Sequence, residues 1–156
     1  MVCLGNICRS PMAEALIRAE ADRAGLAGRV RVESAGTGDW HAGEPMDSSA
    51  RAELARHGHD GSAHRARQIA PDWLGRFDLI LASDQRNLRA LLQMARGRTD
   101  LTGRIRLLRD FDQKAPGGSE VPDPYGGTAE EFAGAYELID AAARGLTEQL
   151  ARLLPG

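Results

Sequence analysis

Two cysteines and an arginine crowd the first nine residues, and their spacing suits an oxyanion site. Cys3 and Arg9 bracket Leu4-Gly5-Asn6-Ile7-Cys8, and Ser10-Pro11 follow. This stretch lies between the end of an apolar segment and the start of a helical pattern. Backbone N–H groups at such a junction lack partners and the helix dipole is positive there, so the place attracts anions. Gly5 gives the turn access to backbone angles closed to other residues, and the amides of Leu4, Gly5, Asn6, Ile7 and Cys8 can then converge on one centre. Arg9 adds a planar fork that grips two oxygens and keeps its charge at all working pH. The same field favours a thiolate at Cys3, aimed at the centre of the bound anion. A phosphoryl group held opposite a sulfur nucleophile is the chemistry these residue types describe.

Breaking a phosphate ester with a poor leaving group also needs a proton donor, and a carboxylic acid is the usual one. Asp123 is the candidate, in Val121-Pro122-Asp123-Pro124-Tyr125-Gly126-Gly127. The flanking prolines restrict its backbone and stiffen the presentation of its carboxyl group. Taken alone, such a sequence is more often simply a turn.

These residues need a frame. Val30–Ala35, Phe77–Ala82 and Arg104–Leu108 read as short buried strands. Between them fall helical patterns. Pro11–Ala24 follows Ser10 as N-cap, with Pro11 at the first helical position. Asp47–His57 is capped by Asp47 and stopped by Gly58. Asp84–Ala95 starts at Ser83 or Asp84. Thr128–Leu154 is long, with a bend expected near Gly145. Pro71–Gly75 reads as a short helical turn, and Trp73 as core packing. Strands alternating with helices imply an α/β fold with a parallel sheet, which binds ligands beyond the carboxyl ends of its strands. Only Met1 and Val2 precede Cys3, fewer than the five or six residues of a common strand. The first strand is therefore a stub or begins upstream, and the sequence leaves both open.

Composition sets further bounds. The 156 residues fit one domain with one core. A net charge of −2 gives no global pull toward nucleic acid or an anionic membrane, so an anionic substrate needs a local pocket. Two cysteines are too few for a disulfide scaffold, and no Cys or His stands close enough to complete a zinc site. No signal peptide and no transmembrane run are visible, which makes the cytoplasm the expected compartment.

The string CLGNICRSPMAEA, residues 3–15, closely resembles the low-molecular-weight protein tyrosine phosphatases, and Asp123-Pro124-Tyr125 resembles that family's acid motif. Ser34-Ala35-Gly36-Thr37 and Ala63-His64-Arg65-Ala66-Arg67-Gln68 resemble two further family segments. The resemblance spans nearly the whole chain. It implies a single three-layer α/β/α domain over residues 1–156, built on a four-stranded parallel sheet. It implies a protein-tyrosine-phosphatase that works through a phosphocysteine intermediate without metal or cofactor. Phosphotyrosine proteins or small aryl phosphates would be its substrates and inorganic phosphate its product.

By the same resemblance Cys3 is the nucleophile, Arg9 the phosphate clamp and Asp123 the general acid. Asn6, Ser10, Ser34 and His64 form a network that holds the loop. Ser10 has two readings, helix cap and donor to the Cys3 sulfur. Asp84 likewise either orients Arg9 or caps a helix. Trp40, in a glycine-rich loop, and Tyr125 are the expected walls of the pocket mouth. Gly126 stands where many members carry a second aromatic, leaving one wall open. Ile7 replaces the threonine that tends to mark the related protein-arginine phosphatases, and it suits a phosphotyrosine ring. Cys8 is either the redox partner of Cys3, closing a disulfide under oxidation, or a space-filling residue. Two other functions stay open: an arsenate reductase, which would need a thiol relay although no cysteine follows Cys8, and a phosphate-binding module without turnover.

Overall fold

A computed structural model describes residues 1–154; Pro155 and Gly156, the end of the expected domain, lie outside the described residues. Strands β1 (Val2–Cys3), β2 (Ala35–Gly36), β3 (Ile80–Ala82) and β4 (Ile105–Leu107) pair in parallel in the order β2-β1-β3-β4. Val2 pairs with Ala35 on one side and Ala82 on the other, so the phosphate-loop strand lies in the middle of the sheet.

The strands are buried on both faces, as parallel strands covered by helices must be. Ile80, Ala82, Ile105 and Leu107 face one apolar cluster, shared with Leu91 of α3 (Gln85–Met94) and Leu101 of α4 (Thr99–Thr102). Leu81 faces the other, shared with Met12 and Leu16 of α1 (Arg9–Arg23), Leu54 of α2 (Ser48–Arg56) and Ile139 of α5 (Ala129–Leu153). The result is three layers, with α1, α2 and α5 on one face and α3 and α4 on the other.

Several expectations need correction. Helix α1 begins at Arg9, with Cys8 at the cap position and no side-chain cap bond. Ser10 therefore lies inside the first turn, and its hydroxyl is used elsewhere. Pro11 remains in that turn, where a missing N–H is harmless. The second strand is not Val30–Ala35 but Ala35–Gly36, in register with Val2 and Cys3 of β1. The preceding carbonyls are satisfied otherwise: Arg18 donates to Val32 O at 2.6 Å and the Arg67 Nε to Ser34 O at 3.0 Å. Strands β3 and β4 lie inside their expected spans, and the turn at Pro71–Arg76 is 3₁₀.

The remaining helices begin where capping residues dictate. Asp47 accepts from Ser49 N and Ala50 N, Asp84 from Asn87 N, and Thr128 and Glu131 form a capping box. Helix α5 runs unbroken past Gly145. Gly145 gives close approach, since a Cβ there would sit 1.9 Å from the Phe111 carbonyl oxygen. Trp73 is half-buried against the α3-side cluster, with the Arg67 guanidinium 4.8 Å above its ring.

Candidate active site

The loop from Cys3 to Ser10 leaves the carboxyl end of β1 at the centre of the sheet and enters α1. Its special backbone residue is Asn6, the one non-glycine at positive φ (57°) among the described residues. Gly5 does not occupy that region, contrary to expectation. It is small for another reason: a Cβ would come within 2.9 Å of the His41 ring. Gly36 is constrained in the same way, since a Cβ would meet Leu4 O at 2.7 Å.

A left-handed Asn costs about 1–3 kcal/mol and persists only when its surroundings hold it there. Four elements do so. The Asn6 side-chain amide donates to Ser10 Oγ at 2.8 Å and to Ser34 Oγ at 3.0 Å. Its Oδ1 accepts from Arg67 N at 2.9 Å, and its carbonyl accepts from His64 Nε2 at 2.6 Å. Ser34 Oγ donates in turn to Glu14 Oε2, 2.5 Å away. Ser10 Oγ accepts from Asn6, and it lies 3.0 Å from the Cys3 sulfur and 3.4 Å from the Ala35 carbonyl oxygen, to either of which its proton can be directed. The Asn6 amide N–H points at the same sulfur from 3.3 Å. Asn6 thus joins His64, Ser34 and Ser10 around the loop, the Ser10 branch reaching Cys3 and the Ser34 branch running away to Glu14.

Arg9 is almost fully buried at the start of α1. Its NH1 donates to Asp84 Oδ2 at 2.7 Å and to Val121 O at 3.0 Å. Asp84 serves two purposes at once, because its other oxygen caps α3. The Nε of Arg9 is buried and has no partner, and NH2 lies 3.5 Å from Asp123 Oδ2. The fork therefore presents one edge to the protein and keeps the other for two oxygens of an anion.

That edge opens into a cleft of about 220 Å³ lined by Cys3, Leu4, Gly5, Ile7, Cys8 and Arg9 below and by Trp40, His41, Asp123 and Tyr125 above. Cys3 and Cys8 are both buried and reduced. Burial above all, and then the charge of Asp47, pushes the Cys8 thiol far above the ordinary thiol range, so Cys8 stays protonated at neutral pH. Asp123 is held by its own turn, Oδ1 accepting from Tyr125 N at 3.2 Å. Trp40 is 68% exposed and Tyr125 59%, which is what the mouth of a pocket requires. Gly126 carries φ +73° with open space around it.

Two residues at the site escaped the sequence reading. His41 lies against Tyr125, ring centroids 5.8 Å apart, with Nδ1 2.7 Å from Glu44. Arg109 reaches the base of the Asp123 loop. Neither sits in a motif, and only the fold brings them near. Among the described residues no cluster of three or more His, Cys, Asp or Glu is placed to hold a metal ion. No described helix is long and apolar enough to cross a membrane.

Comparison with known proteins agrees with this geometry. Residues 1–154 match the family model for low molecular weight phosphotyrosine protein phosphatase. A low molecular weight protein-tyrosine-phosphatase of Streptomyces coelicolor is 48% identical over 93% of this chain and 88% of its own length. Low molecular weight protein-tyrosine phosphatase A of Mycobacterium tuberculosis is 40% identical over 97% and 92%. The crystal structure of YfkJ from Bacillus subtilis superposes with a TM-score of 0.89 at 37% identity, covering 97% of this chain and 92% of its own. A protein tyrosine phosphatase from Entamoeba histolytica, with Hepes in its active site, gives 0.90 at 31%, covering 97% and 94%. Motif, fold and relatives coincide, and the chain belongs to the low molecular weight phosphotyrosine protein phosphatase family.

Proposed function

We propose that this protein-tyrosine phosphatase hydrolyses phosphotyrosine monoesters with Cys3 as nucleophile, Arg9 as phosphate clamp and Asp123 as general acid and base. The observation that carries the assignment is the convergence of three groups on one cleft: the Cys3 sulfur, the buried Arg9 with its unpartnered Nε, and the Asp123 carboxyl 3.5 Å from Arg9 NH2. The phosphoryl group seats on the amides of Leu4, Gly5, Asn6, Ile7 and Cys8, with two oxygens on Nε and NH2 of Arg9. The substrate ring lies between Trp40 and Tyr125, above Ile7.

The sulfur anion of Cys3 attacks phosphorus as the P–O bond breaks, and Asp123 gives its proton to the departing phenolate. The phosphoryl transition state is loose, so amides and guanidinium act mainly by stabilising charge. A water molecule then attacks the phosphocysteine. Asp123 takes its proton, and Ser10 donates to the sulfur as it leaves. The products are the tyrosine and inorganic phosphate, and each step uses the chain and water alone. Phosphotyrosine proteins or small aryl phosphates in the cytoplasm are the substrates on this reading.

Rapid acid quench during turnover of p-nitrophenyl phosphate, followed by mass spectrometry, is the test. A phosphoryl group on the peptide containing Cys3 supports the mechanism. Full turnover by the Cys3→Ser variant overturns it.

A further inference from the structure

Residues 112–128, which carry Asp123, form neither helix nor strand. Connections of that length inside a compact domain are uncommon and tend to be functional. A general acid on such a loop needs its loop held. A displacement of one ångström can lower a rate a hundredfold.

Arg109 stands just before the loop, in the 3₁₀ turn Leu108–Phe111. Its guanidinium touches both ends of the stretch that rises toward Asp123. NH2 pairs with Asp112 at 3.5 Å, where the loop departs. NH1 donates to the carbonyl of Glu120 at 3.0 Å, where the chain returns. The arginine is largely buried, and its Nε is buried without a partner. A surface ion pair would not be arranged in this way; an internal clasp would.

The returning stretch of the loop is fixed from a second side by the start of α3. The Glu120 carboxylate accepts from Gln85 N at 2.9 Å, and Gln85 Nε2 reaches Gly118 O at 3.4 Å. Val121 N donates to Ser83 O at 2.8 Å. Three residues beyond Glu120 comes Asp123. The departing end is anchored too, by Gln113 on Glu148 of α5 at 3.0 Å and by Phe111 seated on Gly145.

We infer that Arg109, backed by Glu120, is a positioning residue for proton transfer: it sets the height of Asp123 over the Cys3 sulfur by closing the base of the loop. It touches neither substrate nor sulfur. Its effect must therefore appear where the proton of Asp123 matters and vanish where it does not. The inference rests on the reading of Asp123 as general acid, and the experiment separates the two.

Steady-state kcat/KM, which reports formation of the phosphocysteine and not the water step common to all substrates, is measured for phosphotyrosine, whose leaving group is a poor one, and for an activated nitrophenyl phosphate. The variants are Asp123→Ala, Arg109→Met, Glu120→Ala and the double variant Asp123→Ala/Arg109→Met. Methionine keeps the buried stem of Arg109, and Glu120 is exposed, so its variant folds even if the first does not. Arg109→Met is expected to lower kcat/KM on phosphotyrosine about tenfold and Glu120→Ala about threefold. Both are expected to stay within about twofold on the activated ester. In the double variant the Arg109 change is expected to add nothing further, since the group it positions is gone.

Equal losses on both substrates in the Arg109 and Glu120 variants, or losses that multiply with Asp123→Ala, overturn the clasp and leave Asp123 standing. A loss that is equal on both substrates in Asp123→Ala overturns the general acid itself, and the clasp with it.

Discussion

The two loops that meet at the cleft are built on opposite plans. The phosphate loop, Cys3 to Ser10, is short and buried, and it is tied through Asn6 to residues from α1, the β2 entry and the segment around His64 and Arg67. The loop carrying Asp123 is long and exposed, and held near its base by a guanidinium, a glutamate and backbone carbonyls. The first must keep amides and a sulfur fixed against a charge that forms late, so its order is established during folding. The second must hand over a proton and admit a substrate ring, and such loops belong to the less stable part of a structure. Changes in the first loop should therefore disturb folding and chemistry together, whereas changes at the tip of the second should disturb chemistry alone.

The largest test of that contrast is Cys3→Ser. It should lower kcat on p-nitrophenyl phosphate by about 10⁴-fold or more while the folded state survives. Unfolding of the variant would show that the sulfur also carries the loop. Next comes Arg9→Lys, which cannot both hold Asp84 and Val121 O and offer two donors to an anion. A loss of about 10³ in kcat/KM is expected, and a loss under tenfold would remove the clamp from the account.

Asn6→Ala should cost about 3 kcal/mol in urea unfolding, by combining a left-handed alanine with orphaned buried partners. Asn6→Gly, which removes the backbone part, should recover about 1 kcal/mol; identical values for both would mean that φ at residue 6 carries no strain. Asp123→Asn is expected to lower phosphotyrosine turnover about 100-fold and to change stability by less than about 0.5 kcal/mol. A large drop in melting temperature would erase the difference between the loops.

The smallest effect concerns pH. The folded state raises the Cys8 pKa, so the stability this burial contributes is complete below the ordinary thiol value of 9.0 and declines as pH climbs above it. Cys8→Ser should flatten the alkaline limb of the stability curve. A curve unchanged above that pH would count against burial of the neutral thiol.

What could be read from sequence followed the same division. The phosphate loop is contiguous, so Cys3, Gly5, Arg9 and the helix start stood in one string. The acid could be proposed because Asp123-Pro124-Tyr125 is a motif. The layered α/β order followed from strands alternating with helices, although paired residues were fewer than strand-like ones: Val30–Ser34 alternates as a strand does, yet it lies outside the paired register and is met by Met1 N at the Glu33 carbonyl. Of the two roles the sequence suggests for Ser10, the cap is not used, because the helix starts at Arg9, two residues before Pro11, and the hydroxyl lies instead beside the Cys3 sulfur. His41 and Arg109 left no trace in the sequence. Their importance depends on meeting Tyr125 and Glu120 across a turn or a loop, a contact that only the folded backbone creates.

Asp84 has a consequence for anyone who would transplant this site. One of its oxygens begins a helix and the other orients the guanidinium. An asparagine could supply an acceptor to only one of them without turning its amide group toward a donor. A graft of the Cys3–Ser10 segment onto another parallel sheet would therefore arrive with a misaimed arginine unless the neighbouring strand also ended in an aspartate at the same height. The transferable unit is two adjacent strand-to-helix junctions, not one.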